Sequence, residues 1–210
     1  MPFPCPDSDT SSQLKAIGRA FLLLLGLASG VGFLFFVFLW EIQSDSPFGE
    51  VGPIEFTQSL LLAASAALYF FEAFRRPALR PALVLVGGFF TCMLIREQDY
   101  FFDFIRHGCW VYPALATAGL CLLYACLNLR RTIAGLERFV RWKYFPYLLI
   151  GVVIVLAYSR LFGMRMVWEE ILGDKFSYDA KTAMEESSEL LGYLLILTSA
   201  VLANTDRHLK

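Results

Sequence analysis

Histidine is scarce in this chain, with only His107 and His208 among 210 residues. Two imidazoles far apart give no paired ligands for a haem, and they leave a conventional zinc site short of nitrogen donors. The five cysteines, Cys5, Cys92, Cys109, Cys121 and Cys126, include no Cys-x-x-Cys pair. That excludes a disulfide framework and a thiolate zinc site, and it leaves the cysteines as small core residues. Charge is also sparse, at 18% of residues. No nucleotide cofactor and no nucleic-acid partner is expected.

What replaces charge is apolar surface. Hydrophobic residues make up 57% of the chain and aromatics 16%, with twenty Phe and a mean hydropathy of +0.57. A soluble domain needs a largely polar surface, so this composition belongs in lipid. Ala20 to Trp40 and Gly108 to Leu129 carry no charge at all. At 1.5 Å per residue each is long enough to cross a hydrocarbon core of roughly 30 Å. The N-terminal segment is acidic and lacks an Ala-x-Ala cleavage site, so the first apolar segment is expected to stay as an anchor.

The pattern predicts an all-α polytopic bundle forming a single transmembrane domain over 1–210. Six spans are expected, at about 14–40, 53–74, 81–107, 108–129, 144–162 and 182–204. Pro53 suits a first helical position. Between the last two spans, Met164, Val167, Trp168, Ile171 and Leu172 share one side of a helical wheel opposite Arg165, Glu169 and Glu170. This predicts a short interfacial helix ending at Gly173. The basic stretch 130–143, interspersed with Ile133, Leu136, Phe139 and Val140, suits an anionic leaflet.

Charge sets the orientation. Twelve of the eighteen basic residues fall in the N-terminal, second, fourth and C-terminal connecting segments, among them Lys15, Arg19, Arg75, Arg76, Arg80 and Lys143. Fourteen of the nineteen acids fall on the other side. The excess of Lys and Arg marks the cytoplasmic side and predicts an N-in, C-in protein of a bacterial cytoplasmic (inner) membrane.

Counting about 20 residues from each basic end brings the polar residues of four spans to one depth. The second span ends its count at Glu55, the third encloses Arg96, Glu97, Asp99 and Tyr100, the fifth Arg160, and the sixth Glu185, Glu186 and Glu189. A charge in lipid costs about 2.5–3.5 kcal/mol on insertion scales, so these groups should turn inward and pair. If the third helix continues to His107, then Arg96, Asp99, Asp103 and His107 share one face. Plainer roles exist for several of these residues. Thr182-x-x-Glu185 fits a capping box, Glu55 complements a helix dipole, and Asp103 with His107 fits a surface ion pair. Glu72 with Arg75 and Arg76 is read as a structural pair. Glu97, Glu186 and Glu189 have no such explanation, and Glu189 needs a cation, with Arg96 and Arg160 available. Gly192 beneath them would admit a close neighbour, and Gly26-x-x-x-Gly30 suggests an intramolecular packing surface.

The layer supports three readings. In the first, an outward-facing pocket holds a divalent cation or a cationic lipid headgroup. Its candidate ion ligands are Glu55, Glu97, His107, Glu185, Glu186 and Glu189, and its candidate headgroup residues are Arg96, Asp99, Tyr100 and Arg160. Oxygen donors favour Mg²⁺, Ca²⁺ or Mn²⁺ over zinc. In the second, the same acids catalyse a metal-dependent reaction on a lipid or lipid-linked substrate at the outer leaflet. In the third, the chain is a non-catalytic subunit that binds a membrane-protein partner or a second copy of itself. Charge-free first and fourth spans, and no broken helix at mid-membrane, argue against a transport path.

Overall fold

A computed structural model describes residues 10–44 and 52–205, and every regular element among them is helical. The readings that fall on Cys5, Asp45, Glu50, Arg207, His208 and Lys210 lie outside the described residues.

The first helix, α1 (Thr10–Ile42), is 33 residues long, and its buried side chains are Leu34, Val37 and Glu41 near its C-terminal end. There Leu34 and Val37 pack with Ile54 and Leu190. Gly30 sits against Leu194, so close that a Cβ would lie 2.9 Å from its Cδ1. Gly26 and Gly32 would meet nothing within 4 Å. Of the Gly-x-x-x-Gly pair, therefore, only Gly30 packs.

Helix α2 (Pro53–Arg75) starts with Pro at its first position, where a missing N–H costs nothing. It forms a hairpin with α3 (Arg80–Glu97), and Arg80 Nε closes the turn by donating to Ala73 O at 3.1 Å. Glu72 is buried and ion-paired to Arg76 and, at 3.4 Å, to Arg75.

The expected span 81–107 is not one helix. Residue Gln98 leaves helical geometry (φ −94°, ψ 18°), and only the five-residue α4 (Asp99–Asp103) follows. A side-chain hydrogen bond holds the break, with Gln98 Nε2 donating to Ser59 Oγ at 2.5 Å. The face proposed to run from Arg96 through Asp103 to His107 is accordingly divided.

The helix expected as the fourth span begins at Val111 rather than Gly108, because Gly108 adopts φ +74° and cannot continue a helix. Helix α5 (Val111–Leu127) lies against α3, where Gly88 gives Cys121 room. Cys126 is exposed rather than a core residue. After Leu127 the chain bends by 103° into α6 (Leu129–Val140). Asn128 Nδ2 donates to Tyr124 O, which the Asn128 N–H has left for Ala125 O, and Thr132 Oγ1 also donates to Ala125 O across the bend. The basic stretch is thus a helix with Thr132, Gly135 and Phe139 inward and its arginines outward.

Helix α7 (Phe145–Phe162) contains a π-helical turn at Ile154–Tyr158. The amphipathic α8 (Arg165–Leu172) follows and stops at Gly173, whose φ is +52°. The last helix, α9 (Tyr178–Thr205), begins a turn earlier than expected. Ser177, not Thr182, is the capping residue, accepting the Ala180 N–H at 3.4 Å. Thr182 sits inside the helix with its hydroxyl buried and unbonded, so the capping box is not formed.

Tyr69, Phe90, Phe139, Trp142, Tyr193 and Ile196 form the centre of the core, which α2, α3, α6, α7 and α9 surround. Tyr69 OH meets Ser199 Oγ at 3.1 Å inside it, so its one polar atom is satisfied. Among the described residues four helices are long and apolar enough to cross a membrane, five if the bent pair α5–α6 counts as one span. Helix α3 carries Arg80, Arg96 and Glu97, and α5 is 17 residues long.

Candidate functional site

The relative direction of α2 and α9 follows from their tethers. Arg76 Nη2 donates to Ala203 O and Asn204 Nδ2 to Leu68 O, which brings the C-terminal ends of α2 and α9 together. At the other end Gln58 Nε2 reaches Glu186 O at 3.5 Å. The acids therefore gather at one end of the bundle, while Arg19, Lys143 and Thr205 line a common cavity at the opposite end.

Glu41, the last charged residue of α1, is part of the acid end although sequence reasoning did not single it out as a site residue. It is 1% exposed, and its Oε2 accepts the Ile54 N–H at 3.1 Å. It thus caps α2 from another helix and satisfies an N–H that has no partner within α2.

Glu189 and Arg160 form the ion pair at the centre of the layer, with the Glu189 side chain 7% and the Arg160 side chain 43% exposed. Arg160 also donates to Glu185 Oε1 at 2.9 Å, and Lys181 Nζ holds the other oxygen of Glu185 at 3.0 Å. Arg160 is therefore committed to two acids of α9. Arg96 pairs with its neighbour Glu97 at 3.0 Å, and Tyr193 OH donates to the same Glu97 oxygen at 3.0 Å. Tyr193 lies four residues after Glu189, on the same helical face, a spacing that marks it in the sequence.

Glu55 and Glu186 stand apart from these pairs. Both are half-buried, and among the described residues neither carboxylate has a hydrogen bond or an ion pair. Each instead feels other acids. Glu97, Glu189, Asp99 and Glu41 act on Glu55, and Glu55, Glu41, Glu189 and Glu185 act on Glu186.

His107 does not join them. Its side chain is 96% exposed, and its Nδ1 lies 2.7 Å from Asp103 Oδ2. Asp103 Oδ1 accepts the Gly108 N–H at 2.9 Å, closing the turn that follows α4. That backbone donor, followed by His107, holds the Asp103 carboxyl below the usual aspartate range. The folded turn thus favours the carboxylate. Its contribution is present above the unfolded aspartate value of about 4 and is lost as pH falls through the lower folded value. The Gly108 amide should exchange slowly at neutral pH and faster, relative to its intrinsic rate, in acid. Asp103→Ala should remove the protection at every pH; protection unchanged in that variant would refute the assignment.

The six expected ion ligands therefore do not form one shell. Among the described residues no group of three or more His, Cys, Asp or Glu is placed to share a metal ion. Ser187 and Ser188 both donate to Met184 O, at 3.2 and 2.7 Å, so neither is poised against a base.

An open cavity of about 340 Å³ lies beside Glu55. It is lined by Glu55, Asp99, Tyr100, Asp103 and Phe104. The Tyr100 and Phe104 rings meet edge to face at 5.0 Å and make a continuous aromatic wall. At the break Gln98 bonds Ser59 of α2, and beyond it Asp99, Tyr100 and Asp103 of α4 line the cavity together with Glu55 near the start of α2. No protein-family model matches the chain, and no curated protein or solved structure is significantly similar to it.

Proposed function

We propose that this chain is a six-span membrane protein of a bacterial cytoplasmic membrane that binds an organic cation, the ammonium headgroup of a lipid, at its outward-facing acid end. The observation that carries this reading is a cavity combining three carboxylates with an aromatic wall, in which Glu55 has no ion pair among the described residues. Ammonium groups are recognised by that combination, since ring faces and carboxylates both attract a weakly hydrated cation. The volume lies within the range of small-molecule sites. A divalent ion would need several oxygens within about 2.6 Å of one point, which these acids do not offer in their present positions.

Alternation of helix direction supports six spans, with α3 and α5 completing the series despite their charge and length. Collection of Arg19, Arg75, Arg76, Arg80 and Lys143 at the end away from the acids supports N-in and C-in. In this orientation α8 lies at the outer surface.

Titration of the purified full chain with choline and with ethanolamine, followed by tyrosine fluorescence or calorimetry, tests the site. Saturable binding that weakens about tenfold in Glu55→Gln, equivalent to about 1.4 kcal/mol, is the expected result. Binding that is unchanged by Glu55→Gln and by Tyr100→Ala overturns it. Stabilisation by Mg²⁺ or Ca²⁺ with no response to either amine would also overturn it, in favour of an inorganic cation.

A further inference from the structure

Another cavity, about 470 Å³ in volume, lies at the basic end of the bundle between α6 and the turn that joins α2 to α3. It is lined by Pro77 and Ala78 of the turn and by Arg130, Arg131, Ala134 and Arg138 of α6. Gly135 brings the two walls together. A Cβ there would lie 2.9 Å from Ala82 Cβ, so α6 packs closely against the start of α3 and its adjoining face stands beside the turn. Arg130, Ala134 and Arg138 follow one another at helical spacing, with Arg131 flanking them, so the three arginines share a face on which only the Ala134 methyl intervenes.

No acid of the protein answers these charges. Among the described residues Arg130, Arg131 and Arg138 have no ion pair or hydrogen bond, and no carboxylate lines the cavity. Glu137, the single acid of α6, is paired with Arg141 at 3.1 Å. Glu72 of α2 is paired with Arg75 and Arg76. Arginine stays protonated at every physiological pH, so three like charges are held around one space.

The remaining face of α6 shows from which side a ligand arrives. Leu129, Ile133 and Val140 form an apolar stripe, each between 53% and 60% exposed, which suits contact with acyl chains. At about 100° per residue, Arg131 and Arg138 lie on the opposite side of the helix. The cavity therefore faces water.

We infer that this cavity binds the phosphate groups of a water-soluble anion such as a diphosphate, with the arginine forks on the phosphate oxygens and Pro77 and Ala78 against the rest of the molecule. Guanidinium forks match phosphate oxygens two at a time, and three of them match a ligand with more than one negative charge. The volume falls within the range of about 300–1,000 Å³ typical of small-molecule sites. A bilayer lipid offers the same phosphate chemistry, but its headgroup would approach from the side of the apolar stripe. The inference uses none of the ammonium cavity's residues, so either site can fail alone.

Calorimetric titration of the purified full chain, in an uncharged detergent, with inorganic pyrophosphate tests the site. Saturable binding is expected, weakened about tenfold by Arg131→Gln and by Arg138→Gln, the lower end for a hydrogen bond to a charged group. Arg138→Lys should recover only part of the loss, because it keeps the charge but not the fork. Ala134→Phe should block the cavity with every charge in place, whereas Arg19→Gln, at the same end of the bundle, should leave the affinity unchanged at physiological salt. All four positions are exposed, so these variants should unfold at the wild-type temperature. Absence of saturable binding, undiminished binding in Ala134→Phe, or a loss in Arg19→Gln equal to that in Arg138→Gln overturns the inference. Native mass spectrometry from nanodiscs of mixed phosphatidic acid and phosphatidylcholine distinguishes the lipid source. Phosphatidic acid should be retained equally by the wild type and by Arg131→Gln with Arg138→Gln; a loss in that double variant would assign the cavity to a lipid headgroup and overturn the soluble ligand.

Discussion

Arg160→Gln is expected to lower the unfolding temperature of the solubilised protein sharply, and Glu189→Gln added to it is expected to restore most of the loss. Glu189 is 5% exposed and draws its neutralising charge from Arg160 on the facing helix. Removing one partner of a buried pair typically costs about 3–5 kcal/mol, because the other charge is left in a poor solvent. Arg160 keeps a side chain 43% exposed. Solvent screening therefore reduces the figure to about 1–3 kcal/mol.

The remaining neighbours do not compensate. Ser159 has one hydroxyl proton, and it lies nearer Val155 O, at 2.7 Å, than Glu189 Oε1, at 3.3 Å. Glu185 loses less than Glu189 because Lys181 still holds it. The double variant removes the orphaned charge together with its partner, which is why it should recover. Chemical denaturation of the two single variants and the double variant closes the cycle. A double variant less stable than Arg160→Gln alone would show that the pair does not act as a unit.

A still larger loss is expected from Gly192→Leu. Helices α7 and α9 cross at Gly151 and Gly192 with their backbones in contact. A Cβ at 151 would lie 2.7 Å from Gly192 O, and a Cβ at 192 would lie 2.9 Å from Gly151 O. Ordinary overpacking costs about 1–3 kcal/mol because side chains can move aside. A helical carbonyl has no such freedom, so separation of the two helices should cost more than about 3 kcal/mol. It should also pull Arg160 away from Glu189, since the crossing sets the distance between their helices.

Gly192→Ala should fall between wild type and Leu, whereas Gly119→Leu on α5 serves as the control. A Cβ at 119 meets nothing within 4 Å, and leucine is the better helix former. Thermal unfolding of the three variants distinguishes them. Equal behaviour of Gly192→Leu and Gly119→Leu would mean that α7 and α9 do not touch at this point.

These two predictions draw on different kinds of information. The need of Glu189 for a cation was legible in the sequence, because its depth could be counted from a basic helix end. The spacing left Arg96 and Arg160 equally eligible, and only the rotation of α7 against α9 selected Arg160. The closeness implied by Gly192 was legible too, but not that its counterpart would be Gly151. Glu41 was overlooked because its partner is a backbone N–H on the next helix, and no pattern of side chains announces such a contact. Continuity of the third span was overestimated because nothing between Gly88 and Gly108 forbids a helix. At the break Gln98 bonds Ser59, a residue 39 positions away, a contact that no local pattern announces.

By itself the amino-acid sequence determined where the segments apolar enough to cross a membrane fall, and it put the acids of four segments at a similar count from their basic ends. These are properties of single helices, set by a rise of 1.5 Å per residue and by the cost of charge in hydrocarbon. Tertiary structure alone decided which acids are neutralised, which stay unpaired, and where α1 leaves the bundle open. Those outcomes depend on how each helix is rotated about its own axis. That rotation is fixed by contacts between residues distant in sequence, at Gly151 with Gly192, Gly88 with Cys121 and Gln98 with Ser59.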